Sequence, residues 1–211
     1  MKCLMLWCAS FEQIQESVAS CLLSRKQMFE ISARSAIGIR QRILYLADFV
    51  LVPLAIAVLL NVMGLTRFPV IAIGFAIWTF AEYLLHRFAL HWLPAGLSLH
   101  QPHHDHPSDI ELERSSVSTP LIACPIGFVL MVVAGVDDGL ALFTGLLLGY
   151  LAFIVMHHAV HRWTIESNSW LYAAKVRHIT HHHSDNCNYG VTTPFWDFVF
   201  HTNAVAKRRA T

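Results

Sequence analysis

Four long apolar stretches lay out this chain. They cover residues 43–63, 68–85, 117–136 and 139–156, and few polar side chains interrupt them: Asp48 and Asn61 in the first, Glu82 near the end of the second. Prolines fall inside the first and third, at Pro53, Pro120 and Pro125. Each stretch approaches the roughly 20 residues that a helix needs to cross a bilayer core. Only residues 64–67 separate the first from the second, and Asp137 and Asp138 the third from the fourth. Links this short pair the stretches as two hairpins. The pattern predicts an all-α integral membrane protein with four transmembrane helices. Residues 1–42 read as a cytoplasmic arm, amphipathic or poorly ordered, ahead of one transmembrane and histidine-bearing domain over residues 43–211.

Composition agrees with a membrane protein. Of 211 residues, 55% are hydrophobic and 14% charged, against about 25% charged in a soluble domain. The net charge of +1 leaves no footprint for nucleic acid. Cys3, Cys8, Cys21, Cys124 and Cys187 form no CxxC pair and are odd in number, so neither a disulfide framework nor a thiol metal site is expected. The apolar run at residues 1–8 is short and soon followed by Glu12 and Glu16, which does not suit a cleaved signal peptide.

The short links carry one base, Arg67, and two acids. Arg87, Arg114, Arg162, Lys175, Arg177, Lys207, Arg208 and Arg209 all lie on the opposite side. The positive-inside rule then places both termini in the cytoplasm, at a bacterial inner membrane or an endoplasmic reticulum membrane. Asp48 and Glu82 sit near cytoplasmic helix ends, where acids can reach the interface. Glu82, four residues before His86, is also a candidate acceptor for that imidazole. Trp92, Trp163, Trp170 and Trp196 suit an interfacial belt.

The chemistry lies in histidine. All 14 histidines stand at or after His86. His178, His181 and His182 are spaced i, i+3, i+4, which puts three imidazoles on one helical face. His100, His103 and His104 repeat that spacing, and His86-x4-His91 and His157-x3-His161 add two pairs. The chain thus reads as two similar halves, each with a hairpin, a pair and a triplet, and each offering five candidate ligands. Ten imidazoles exceed what one metal holds and suit two. His86 and His91, five apart, do not superpose on an ideal helix and need a distortion or separate sides of a site. Pro102 disfavours helix at Gln101, so His100 is expected before the helix that carries His103 and His104. His106, His158, His183 and His201 fall outside the pattern. No HExxH, Glu-x-x-His or nucleophile elbow competes with this reading.

These motifs resemble the fatty acid hydroxylase superfamily with its sterol desaturase relatives, over about residues 43–202. The boxes are HRFALH at His86–His91, HQPHHDHPSD from His100 to Asp109, HHAVH at His157–His161 and HITHH at His178–His182, followed by an NYG…WDxxF run from Asn188 to Phe200. The resemblance implies four transmembrane helices under a cytosolic histidine-rich helical cap. It also implies a dimetal site, O2 as co-substrate and a lipid or fatty-acyl substrate taken from the bilayer. Its ligands would be His86, His91, His100, His103, His104, His157, His161, His178, His181 and His182. Iron is the expected metal, and zinc can replace it in purified samples. With no cytochrome b5 segment expected in the chain, electrons would come from a separate cytochrome b5- or ferredoxin-like protein.

One box departs from the fatty acid 2-hydroxylases. Where their third box carries Tyr-Asp, this chain has Phe153-Ile154, and Arg162 replaces the final histidine. A lipid or sterol desaturase on the same site and a carotenoid hydroxylase remain alternatives, although the third-box spacing and the NYG…WDxxF run favour lipid hydroxylation. A metal transporter or metal-binding membrane protein is the alternative from another class. Ligands within the apolar cores would support it, and these histidines lie outside them.

Overall fold

The computed structural model describes residues 42–63, 65–107 and 118–204. The expected N-terminal arm, apart from Arg42, lies outside the described residues, as do Ser108, Asp109, Arg114 and the basic run at Lys207–Arg209. The described residues are helical, without strands. In chain order the helices are α1 (Arg42–Met63), α2 (Phe68–Leu84), α3 (Pro94–Asp105), α4 (Ser118–Ala134), α5 (Val136–Arg162), α6 (Trp170–His183) and α7 (Phe195–Val199). α2 does not stop at Leu84 but widens into a six-residue π-helical turn, Leu85–Leu90.

Three of these helices are long and apolar enough to cross a membrane: Arg42–Met63, Phe68–Leu90 and Val136–Arg162. The third expected span is shorter than its apolar stretch. α4 has 17 residues, of which Ile122–Ala134 form the apolar part. Gly135, with φ 82, ends it, and α5 begins one residue later. Three long spans, rather than four, are therefore found among the described residues.

α2 and α5, assigned to different hairpins by the sequence, form the central pair. Their backbones meet at glycine: a Cβ on Gly74 would stand 2.2 Å from the Leu142 carbonyl oxygen, and one on Gly145 2.1 Å from that of Ile71. Small residues permit such close packing where lipid gives helices no hydrophobic reason to associate. α1 packs on α5 through Val52, Ile56 and Leu147. Its Asp48 is buried within the protein and accepts a hydrogen bond from Tyr150 at 2.6 Å. On their outer faces Leu46, Val50, Leu54, Val58, Ile73 and Ile77 are exposed, as lipid-facing residues are.

The two short links lie together. Arg67 pairs with Asp138 and, at 3.0 Å, with Asp137. At the opposite end α5 runs on for 27 residues, about 40 Å at 1.5 Å per residue, which exceeds a hydrocarbon core of about 30 Å. Its last turns, with His157 and His161, therefore project from the span, beside the end of α2 and helices α3 and α6.

Candidate metal centre

The ten histidines of the four boxes come together at this end in two sets of five. One set is His86, His91, His100, His104 and His181; the other is His103, His157, His161, His178 and His182. Within each set one ring nitrogen per residue lies within 4.8 Å of all the others, a geometry that can hold one ion. The sets do not follow the two halves of the chain, as the repeat suggested. His103 leaves the first half for the second set, and His181 leaves the second half for the first.

Helical geometry explains the exchange. Successive residues on an α-helix diverge by about 100°, so the adjacent pairs His103-His104 and His181-His182 each point in two directions. His104 stays with His100, with 3.1 Å between their Nε2 atoms, while His103 turns to His157 and His161, with ring centroids 4.7 and 4.8 Å away. His182 stays with His178 at 3.1 Å, while His181 turns to His91, also at 3.1 Å. The expectation that His178, His181 and His182 serve one face is corrected accordingly. The sets touch where the rings of His104 and His182 stack, 4.3 Å apart.

Two local features bring the remaining histidines into register. The π turn spans the interval between His86 and His91 and supplies the distortion their spacing required. A π helix takes more residues per turn than an α helix, so residues five apart return to one side, and the two rings lie 5.2 Å apart. α3 continues through Pro102, so His100 lies within the same helix as His103 and His104 rather than before it. Ser169 caps α6, its hydroxyl accepting from the Tyr172 amide at 3.2 Å.

Neutral imidazole is the form that binds metal, and the cap favours it. Burial first, then neighbouring imidazoles, pushes His103 down to about 3 and His182 to about 2. Burial likewise lowers His181 to about 3, against the Cys187 carbonyl, which raises it. His100 and His178 are held far below the usual histidine range by burial and their histidine neighbours.

The loop after α6 contributes groups that the sequence did not single out as parts of the site. Nδ1 of His86 bonds the Tyr189 carbonyl at 2.6 Å, and Nδ1 of His181 bonds that of Cys187 at 2.8 Å. Nδ1 of His104 lies 3.2 Å from Asp185. Glu82 is not the acceptor for His86: its Oε1 accepts instead from the Val191 and Thr192 amides, at 2.7 and 2.9 Å. The NYG…WDxxF run marked the loop, but backbone carbonyls leave no signature in side-chain identity. Of the histidines left outside the pattern, His183 turns back to the Ile179 carbonyl at 2.8 Å and His158 bonds Tyr45 at 2.9 Å. Trp92, Trp163 and Trp170 are exposed, whereas Trp196 docks on α2, its Nε1 donating to Thr79 at 3.1 Å.

Known proteins share this arrangement of sequence and fold. The family model for fatty acid hydroxylase matches residues 71–202. The chain is 31% identical over 141 residues to a fatty acid 2-hydroxylase of Mus musculus, covering 62% of this chain and 38% of the mouse protein. It is 31% identical over 148 residues to the dihydroceramide fatty acyl 2-hydroxylase FAH1 of Arabidopsis thaliana, covering 66% of this chain and 62% of that one. It thus spans less than two thirds of either relative. A solved structure described as full-length scs7p, with only the hydroxylase domain visible, superposes with a TM-score of 0.67 at 26% identity, covering 81% of this chain and 69% of the other.

Proposed function

We propose that this chain, which belongs to the fatty acid hydroxylase family, is a membrane-bound, O2-dependent lipid hydroxylase. The observation that carries the reading is the pair of interlocked five-histidine sets at one end of the membrane helices. Buried imidazoles held neutral are suitable donors for first-row transition metals. His86, His91, His100, His104 and His181 would hold one ion, and His103, His157, His161, His178 and His182 a second, with iron as the working metal. Ions bound there supply the activation of O2 that side chains cannot perform.

The balance is one C–H bond, one O2, two electrons and two protons, giving one C–OH and one water. The electrons come from a separate cytochrome b5- or ferredoxin-like donor. The chain's own part is placement. Two helix ends, the π turn and the two HH pairs fix ten nitrogens, and the buried positions of His86, His103, His178 and His181 exclude bulk water. An open apolar groove of about 320 Å³, lined by Leu84, Leu85, Phe88, Ala89, Trp92 and Leu93, lies along the turn that carries His86. It offers an acyl chain a surface continuous with the bilayer. The names of the relatives favour the 2-position of a ceramide-type acyl chain. Phe153 stands where the resembled third-box pattern has tyrosine, and it stacks on His157 at 5.6 Å.

Four membrane segments, with α4 as the shortest, and a cytoplasmic cap complete the proposal. Arg87, Arg162, Lys175 and Arg177 at the histidine end support that orientation. The test is to express the chain under 18O2 and analyse membrane lipids. A gain of one labelled oxygen at the carbon next to the acyl carbonyl is expected, together with about two metal ions per purified chain and loss of product in His157→Ala. A product lacking two hydrogens without oxygen would instead identify a desaturase. Metal accumulation without any lipid change would identify a transporter.

A further inference from the structure

We infer that the loop over residues 187–192, clamped by Asp197 and Glu82, is a positioning device for the first histidine set, and that it makes the two proposed metal positions unequal in how firmly each is held. The inference rests on reading the sets as metal sites. A carbonyl oxygen can only accept a hydrogen bond. The Tyr189 and Cys187 carbonyls, at 2.6 and 2.8 Å, therefore require a proton on Nδ1 of His86 and of His181. Each Nε2 is left unprotonated, and each faces the set: that of His86 lies 3.0 Å from His100, that of His181 3.1 Å from His91. The loop thus fixes both the tautomer and the aim of two ligands.

The loop is itself tied by four successive amides. Those of Tyr189 and Gly190 donate to Asp197, at 2.9 and 2.8 Å. Those of Val191 and Thr192 donate to Glu82, at 2.7 and 2.9 Å. Both carboxylates are buried. Thr202 donates to Asp197 at 2.7 Å. Asn188, with φ 57, closes the loop base by accepting from the Ala204 amide and donating to its carbonyl. In the second set, Nδ1 of His178 and of His182 has no hydrogen-bond partner among the described residues, so no loop carbonyl aims those two rings as it aims His86 and His181. An acceptor on the distal nitrogen of a ligating histidine fixes its orientation and raises its basicity, and losing such a partner typically costs about 10–100-fold in metal affinity or activity.

The test is metal release from detergent-purified full-length chain loaded with Zn2+, followed after adding excess EDTA. Wild-type protein should release two equivalents. In Asp197→Asn one equivalent should leave measurably faster, by less than the about 10–100-fold that losing the carbonyl partner itself costs, and the other at the wild-type rate. Thr202→Val, which removes one donor to that carboxylate, should move the same equivalent in the same direction by less. In a His161→Ala background, keeping only the first-set equivalent, the Asp197→Asn acceleration should persist; in a His91→Ala background it should vanish. A merely structural role for Asp197 would loosen both equivalents alike. That result, or no acceleration of either in protein that holds two, overturns the inference and leaves the metal reading standing. Wild-type protein that takes up no Zn2+ overturns the metal reading itself. If Asp197→Asn does not fold, the Thr202→Val series decides by the same criteria.

Discussion

Nε2 of His181 lies 3.1 Å from Nε2 of His91, ninety residues earlier, while the next residue, His182, meets His178 at the same distance. One dipeptide therefore serves both sets. His181→Ala and His182→Ala should each remove close to one of two metal ions, and the doubly substituted chain close to both. His183, bonded to the Ile179 carbonyl, joins neither set, so His183→Ala should keep measurable hydroxylation and both ions. Metal content and lipid product at matched expression check all four proteins. An inactive, metal-depleted His183→Ala beside an active His182→Ala would refute the assignment.

The π turn makes a second prediction. Inserting one alanine after Ala89, within the Leu85–Leu90 turn, sets His86 and His91 six apart and swings everything before the insertion by about 100° relative to His91. His86 and His91 should then no longer converge, and the chain should lose hydroxylation and about one metal ion. Inserting one alanine into the exposed segment beside Ser167, outside both sets, should retain activity. Equal activity in the variant with the insertion after Ala89 would show that the turn does not set this register.

The contact between α2 and α5 makes a third. A side chain at Gly145 meets the Ile71 carbonyl, which belongs to backbone and cannot swing aside. Gly145→Ala should lower stability by about 1–3 kcal/mol, the usual range for overpacking. At Gly127 the nearest atoms are those of the Phe143 ring, at 3.3 Å, which can give. Gly127→Ala should cost much less. Thermal inactivation in detergent compares the two, and equal losses would contradict the close approach.

Orientation is testable with cysteine reporters. Cys187 is buried and its thiol bonds the Ser184 carbonyl, so it reacts poorly whichever side it faces. Thr66 and Ser167 are exposed at opposite ends of the helices. In a chain whose own cysteines are serine, a membrane-impermeant maleimide applied to intact cells should label Thr66→Cys and spare Ser167→Cys. The reverse pattern would place the histidine end outside.

The hydrophobic pattern and the histidine spacing were enough to read long apolar helices and ten histidines at ligand spacing, because apolar length and i, i+4 periodicity are local properties; the family was read from the resemblance of the whole boxes. The partition of those ten was not legible. His103 and His181 cross to the set of the opposite half because adjacent residues diverge by about 100°, and only the packing of α3 beside α5 and of α6 beside the π turn decides which neighbour faces which set. Asp48 and Glu82 looked like interfacial acids. The structure buries both, one under Tyr150 and one under the amides of Val191 and Thr192, partners more than a hundred residues away. α4 ends at Ala134, two residues before the end of its apolar stretch, because Gly135 breaks the run at φ 82. Sequence alone determined which residues are apolar and which carry imidazole at ligand spacing. Tertiary structure decided which imidazoles share a set, and which backbone carbonyls aim them, because both depend on contacts between segments far apart in the chain.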